Sequence, residues 1–185
     1  MKLNKSVPLL VFLLGILFFG TNNGEVYGDT NDTPQSFEEI FTEVGYKTVE
    51  AALDEFEQHF NKELKLPLRA PPISFTHHFG RFSNLDGEIN DAFEVMFISD
   101  QLPENHFKID VRPIRHKIGF SDKYVSKTFK LDNGSIAKYM EKPSMGFNLL
   151  VFERDGWEYI FSINKKVSDK VTPEILVQIA NSIDF

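Results

Sequence analysis

Three histidines raise the question of chemistry first: the adjacent pair His77-His78, and His106. Imidazole nitrogens are good ligands for zinc and copper. Neighbouring residues on a strand point to opposite faces, however, so His77 and His78 can reach one metal only across a bulge. His77 falls in register with Phe75 and Phe79, and His78 with Thr76. No His-x-x-x-His pair sits in a helical stretch. Nor does the chain contain a Gly-x-Ser-x-Gly elbow, a phosphate-binding Gly-rich loop or a dinucleotide fingerprint. Paired acids such as Glu38-Glu39 and Asp54-Glu55 fall on polar helix faces, where carboxylates are simply solvated. The expectation is a non-catalytic protein with no metal and no cofactor. A secreted metal-binding protein or hydrolase using His77, His78 and His106 is the alternative.

Charge distribution is the more informative signal. Residues 29–63 carry ten acids against two bases, whereas residues 106–142 carry nine bases against four acids. Lys108, Arg112, Arg115 and Lys117 head the basic stretch, and a sheet face built from them would contact an envelope protein or an anionic cell-wall polymer. Nucleic acid is excluded as a partner by the net charge of -7, since such binders need a surplus of cations to displace counterions.

The N-terminus reads as an address. Lys2 and Lys5 precede an apolar run from Val7 to Phe19, and polar residues follow. That layout is a secretory signal, with cleavage expected after Gly28. A spanning helix needs about 20 apolar residues, so contact with a membrane is expected only if this segment stays uncleaved as an anchor. The absence of cysteine excludes disulfides and a lipoprotein anchor, and an exported chain without disulfides suggests a Gram-positive envelope.

The mature chain then divides into a flexible lead, residues 29–35, and one domain, residues 36–185, a size that suits a monomer with a single core. Ser36 and Glu39 form a capping box for a short helix ended by Gly45, and Val49, Ala52, Leu53, Phe56 and Phe60 make the apolar stripe of a second helix from Thr48 to Glu63. Beyond Pro67, Pro71 and Pro72, seven strands are expected: Ile73–Phe82, Phe93–Ser99, Phe107–Pro113, Tyr124–Leu131, Ser135–Met140, Asn148–Arg154 and Trp157–Ile163. Phe107, Ile109 and Val111 alternate with Lys108, Asp110 and Arg112, and Trp157, Tyr159, Phe161 and Ile163 alternate with Glu158 and Ser162. Such alternation predicts an antiparallel sheet with one wet face. Asp132-Asn133-Gly134 and Asp155-Gly156 mark tight turns, Asp86-Gly87 a longer connection, and Thr172-Pro173 starts a last helix. The fold class is α+β, an antiparallel sheet of about six or seven strands with N-terminal helices and a C-terminal helix on one face. Most of the 19 Phe fill the core, though so many could leave an apolar cleft, with Lys142 to Phe147 as its lip.

The ending from Asp155-Gly156-Trp157 through Ile163, then Thr172-Pro173-Glu174-Ile175-Leu176 through Ile183, resembles the uncharacterised extracytoplasmic domains of Gram-positive secreted proteins, lipoproteins and anti-sigma-type factors. The resemblance spans part of the last third of the chain and is structural. It implies location and fold, and it carries over no catalytic residue. The expected function is therefore an exported, non-catalytic binding or regulatory module of the cell envelope.

Overall fold

The computed structural model describes residues 35–85, 89–142 and 144–183. The expected signal, nearly all of the polar lead, Asp86-Gly87 and Pro143 lie outside them. Residues 35–185 cluster as one compact unit. Its strand pairings and hydrophobic clusters are made from its own residues, so it has what a domain needs to fold alone.

The expected α+β architecture is present. Helices α1 (Phe37–Glu43) and α2 (Val49–Phe60) precede strands β1 (His77–Ser83), β2 (Ala92–Ile98), β3 (His106–Pro113), β4 (Val125–Lys130), β5 (Ile136–Met140), β6 (Phe147–Arg154) and β7 (Trp157–Asn164), and α3 (Pro173–Asn181) follows. The strands form one antiparallel sheet in the order β1-β2-β3-β7-β6-β5-β4. It consists of two meanders, β1 to β3 and β4 to β7, that meet where β3 pairs with β7. The connection Ile114–Tyr124 must therefore carry the chain from the middle of the sheet to its β4 edge.

Local signals account for the helices. Ser36 accepts the Glu39 N–H at 3.2 Å, and the Glu39 carboxylate accepts the Ser36 N–H at 2.8 Å, completing the capping box. Thr48 caps α2 through the Ala51 N–H, and Asn61, in the left-handed conformation at φ 47°, ends it two residues before the expected Glu63. Pro173 opens α3. The first strand begins at His77 rather than Ile73, because Ile73 N–H bonds back to Pro71 O at 2.8 Å and bends the chain after the prolines.

The main core lies between α2, α3 and one face of the sheet. Phe56 meets Trp157 at 5.0 Å between ring centroids and Phe93 at 5.6 Å, and Leu176, Ile179 and Ala180 of α3 join the same cluster. The linker after α2 is tied to β7, with Trp157 Nε1–H donating to Glu63 O at 3.2 Å and the Tyr159 hydroxyl to Lys65 O at 2.9 Å.

Helix α1 reaches the opposite face. Phe41 stacks on Phe79 at 4.9 Å, while the next residue, Gly80, faces α2. The connection Ile114–Tyr124 also crosses this second face, since the Ile118 N–H donates to Glu158 at 2.9 Å and Glu158 points away from its neighbours Trp157 and Tyr159. Alternation in β7 predicted a wet side for Glu158 and Ser162. Both are buried instead, because the crossing segment and cross-strand ion pairs cover the middle of that face.

Candidate functional site

Lys108 and Arg112 project from β3 onto the crossover face, alternating with buried Phe107, Ile109 and Val111. They do not form an open basic surface. Lys108 Nζ lies 3.0 Å from Glu94 and 3.0 Å from Asp110. Glu94 also accepts the Tyr46 hydroxyl and sits 3.3 Å from the Arg81 guanidinium. Register puts Arg81, Glu94 and Asp110 side by side across β1, β2 and β3. Burial works against the Glu94 carboxylate, but the Tyr46 hydroxyl and Lys108 outweigh it and hold its pKa below the ordinary value. Burial prevails at Asp110 and pushes its carboxyl up. Lys108 is kept above its usual range, despite burial, by Asp110 and Glu94. This is a charge-matched network that fixes three strands and the Tyr46 end of α1.

The remaining two cations diverge. Lys117 pairs with Glu153 at 2.8 Å on the crossover face. The Arg115 guanidinium lies 5.7 Å over the Phe60 ring at the end of α2, on the other side of the sheet. Arg112 Nε stands 4.0 Å from Glu158, whose carboxyl is raised by burial. The neutralising acids Glu94, Glu153 and Glu158 come from three other strands, which is why the basic stretch looked uncompensated along the chain.

The histidines do not converge. His77 and His106 flank Ile98 in one register row, two strands and roughly 10 Å apart, and His78 faces the other side of the sheet, 6.1 Å from the Phe97 ring. His77 Nε2 is 2.9 Å from Glu38 and its Nδ1 is 2.7 Å from the Thr76 hydroxyl. His106 packs edge-on against Phe147 at 5.1 Å, and burial, helped by Lys108, lowers its pKa. Among the described residues no three His, Asp or Glu side chains are placed to hold a metal ion.

A candidate binding site on this face lies under the crossing segment. Met140, Leu149 and Ile160 form a second, smaller core there, with Phe120, Tyr124 and Val151 packed against it. It is incompletely covered, since Ile118 is 40% exposed, Ile136 54% and Met145 36%. Two hollows result. One, of about 530 Å³, runs between Ile118-Gly119-Phe120 and the strand residues Ile136, Met140 and Val151, with Lys117 and Lys138 at its rim. The other, of about 310 Å³, lies across Phe120 and is lined by Tyr124, Met140, Met145, Phe147 and Leu149, with Lys142 at its edge. Lys142, Met145 and Phe147 supply the lip anticipated from sequence, and Lys165 anchors it by donating its backbone N–H to Gly146 O at 3.0 Å. Sequence reading missed the lid. Its signal was the presence of Ile118, Phe120 and Tyr124 within a connection that should otherwise be polar.

No family model, curated protein or solved structure matches this chain.

Proposed function

We propose that the folded domain is a non-catalytic binding module of the cell envelope, exported by the signal-like segment that ends at Gly28, and that it takes its ligand in the cleft beneath Ile114–Tyr124. The observation that carries this is the partly covered apolar floor of Met140, Val151 and Leu149, roofed by Phe120 and open at Ile118, Ile136 and Met145. Ligand sites are concave, mostly apolar hollows with a few polar groups at the rim, and the cleft has that composition. The Lys108–Glu94–Asp110 network supports the reading indirectly. With these charges already matched, attraction of an anionic polymer through Lys108 and Arg112 would require breaking buried pairs. Lys117 alone of those four cations lines the cleft.

The chain has no cysteine, so introduced thiols can be modified selectively. Residues 35–185 should bind the apolar dye 1-anilinonaphthalene-8-sulfonate in the cleft. N-ethylmaleimide modification of an Ile136→Cys/Met145→Cys variant should remove most of that binding. The same modification of Ile40→Cys/Leu68→Cys, at exposed positions elsewhere, should leave it intact. Equal loss in both variants, or none in either, would remove the cleft as the site.

A further inference from the structure

The two hollows differ in what their lysines are doing. At the larger one, Lys117 is paired with Glu153 and Lys138 with Asp122, both at 2.8 Å. At the smaller one, Lys142 stands at the edge with its ammonium group 5.3 Å from the centroid of the Tyr124 ring, and Lys123, outside the lining, lies 4.8 Å from the same ring. Neither makes an ion pair among the described residues. Of the nearby acids, Asp122 is held by Lys138, and Glu141 neighbours Tyr139, whose buried side chain belongs to the helix-covered face. An aromatic face is a weak partner for an ammonium group at an exposed site, so Lys142 can turn to a carboxylate without giving up a salt bridge.

We infer that this cavity binds a single-chain aliphatic carboxylate, a medium-chain fatty acid. Its tail lies among Met140, Met145, Phe147 and Leu149, and its carboxylate meets Lys142 at the edge. Methionine suits such a wall because its unbranched side chain adapts to a flexible tail. The volume of about 310 Å³ is at the small end for ligand pockets, which favours one short chain over a two-chain lipid. This inference rests on the binding-module reading and adds the chemistry of its ligand.

Titration of residues 35–185 with decanoate, decanol and decyltrimethylammonium, each below its aggregation threshold, tests it by calorimetry. Decanoate should bind with one site and a Kd of about 0.1 mM, as expected for a ligand of this size, and the cation at least about tenfold more weakly. A Lys142→Gln variant should lose about three- to fivefold in decanoate affinity and keep its affinity for decanol. Equal binding of the anion and the cation would overturn the carboxylate assignment while leaving the cleft as an apolar site. Binding of none of the three, together with loss of dye binding to the unmodified domain, would overturn both readings. Capture by phosphatidylglycerol vesicles without binding of monomeric decanoate would overturn the inference in favour of a membrane surface.

Discussion

Gly80→Ala is expected to destabilise the domain by about 3 kcal/mol, the upper end of the range for overpacking. An added Cβ would lie 2.7 Å from Val49 Cα, 2.9 Å from Ala52 Cβ and 3.0 Å from Thr48 O, all at the start of α2. These are backbone or backbone-proximal atoms, so no rotamer change relieves the contact. The Gly80 backbone is fixed as well. Lys47 N–H donates to Gly80 O at 2.9 Å and Gly80 N–H to Lys47 O at 2.8 Å, covering the exposed edge of β1. Here the chain passes from α1 on one face of the sheet to α2 on the other, so the substitution should separate α2 from β1. Thermal unfolding is the measurement, with an expected fall in Tm of about 6–12 °C for a domain of this size. Gly119→Ala, whose Cβ would meet nothing within 4 Å, should change stability by less than about 0.5 kcal/mol. Similar melting of the two variants would show that α2 does not seat on Gly80.

Lys108→Met should cost about 3 kcal/mol at neutral pH. Removing one partner of a buried ion pair leaves uncompensated charge, and here two carboxylates, Glu94 and Asp110, lose the ammonium group between them. Arg81 and the Tyr46 hydroxyl remain on Glu94, which keeps the cost at the low end of the range for such losses. The pH dependence has a definite sign. Asp110 already has a raised pKa in the folded state, so the folded protein binds that proton more tightly than the unfolded chain. Its contribution to stability is present at acid pH and is lost as pH rises through the folded value. Glu94 is lowered, so its contribution is present above the ordinary carboxylate range and fades as pH falls. Without Lys108 both carboxyls move up, and the deficit of the variant should shrink between pH 7 and pH 5. Lys117→Met, at an exposed pair, should leave stability unchanged at either pH. A Lys108→Met deficit that stays constant or grows toward pH 5 would contradict the network.

These two residues also show what was legible in the sequence. The strands, turns and caps follow from local rules, so Ser36, Thr48, Pro173 and the alternation in β3 and β7 located most elements. The charge network obeys no local rule. Lys108 meets Glu94 through strand pairing, and Glu158 meets Ile118 through a connection whose path depends on β7 lying beside β3. A basic run along the chain therefore became a balanced lattice across the sheet. The cleft was half legible, since the Met145-Phe147 lip was visible but its floor and roof come together only when β4 to β7 are wound under Ile114–Tyr124. His77, His78 and His106 separated for the same reason. Strand alternation puts His78 on the opposite face, and register sets His106 two strands away from His77.

Selective labelling of methionine methyl groups gives the most direct view of the cleft. Residues 35–185 contain three methionines. Met140 and Met145 line the hollows, whereas Met96 lies on β2 beside Lys108 in the register. On addition of decanoate, the carbon-13 methyl signals of Met140 and Met145 should shift together and saturably while Met96 stays in place. Three unmoved signals, or a Met96 shift as large as the other two, would mean that the hollow beneath Ile114–Tyr124 is not where this domain binds.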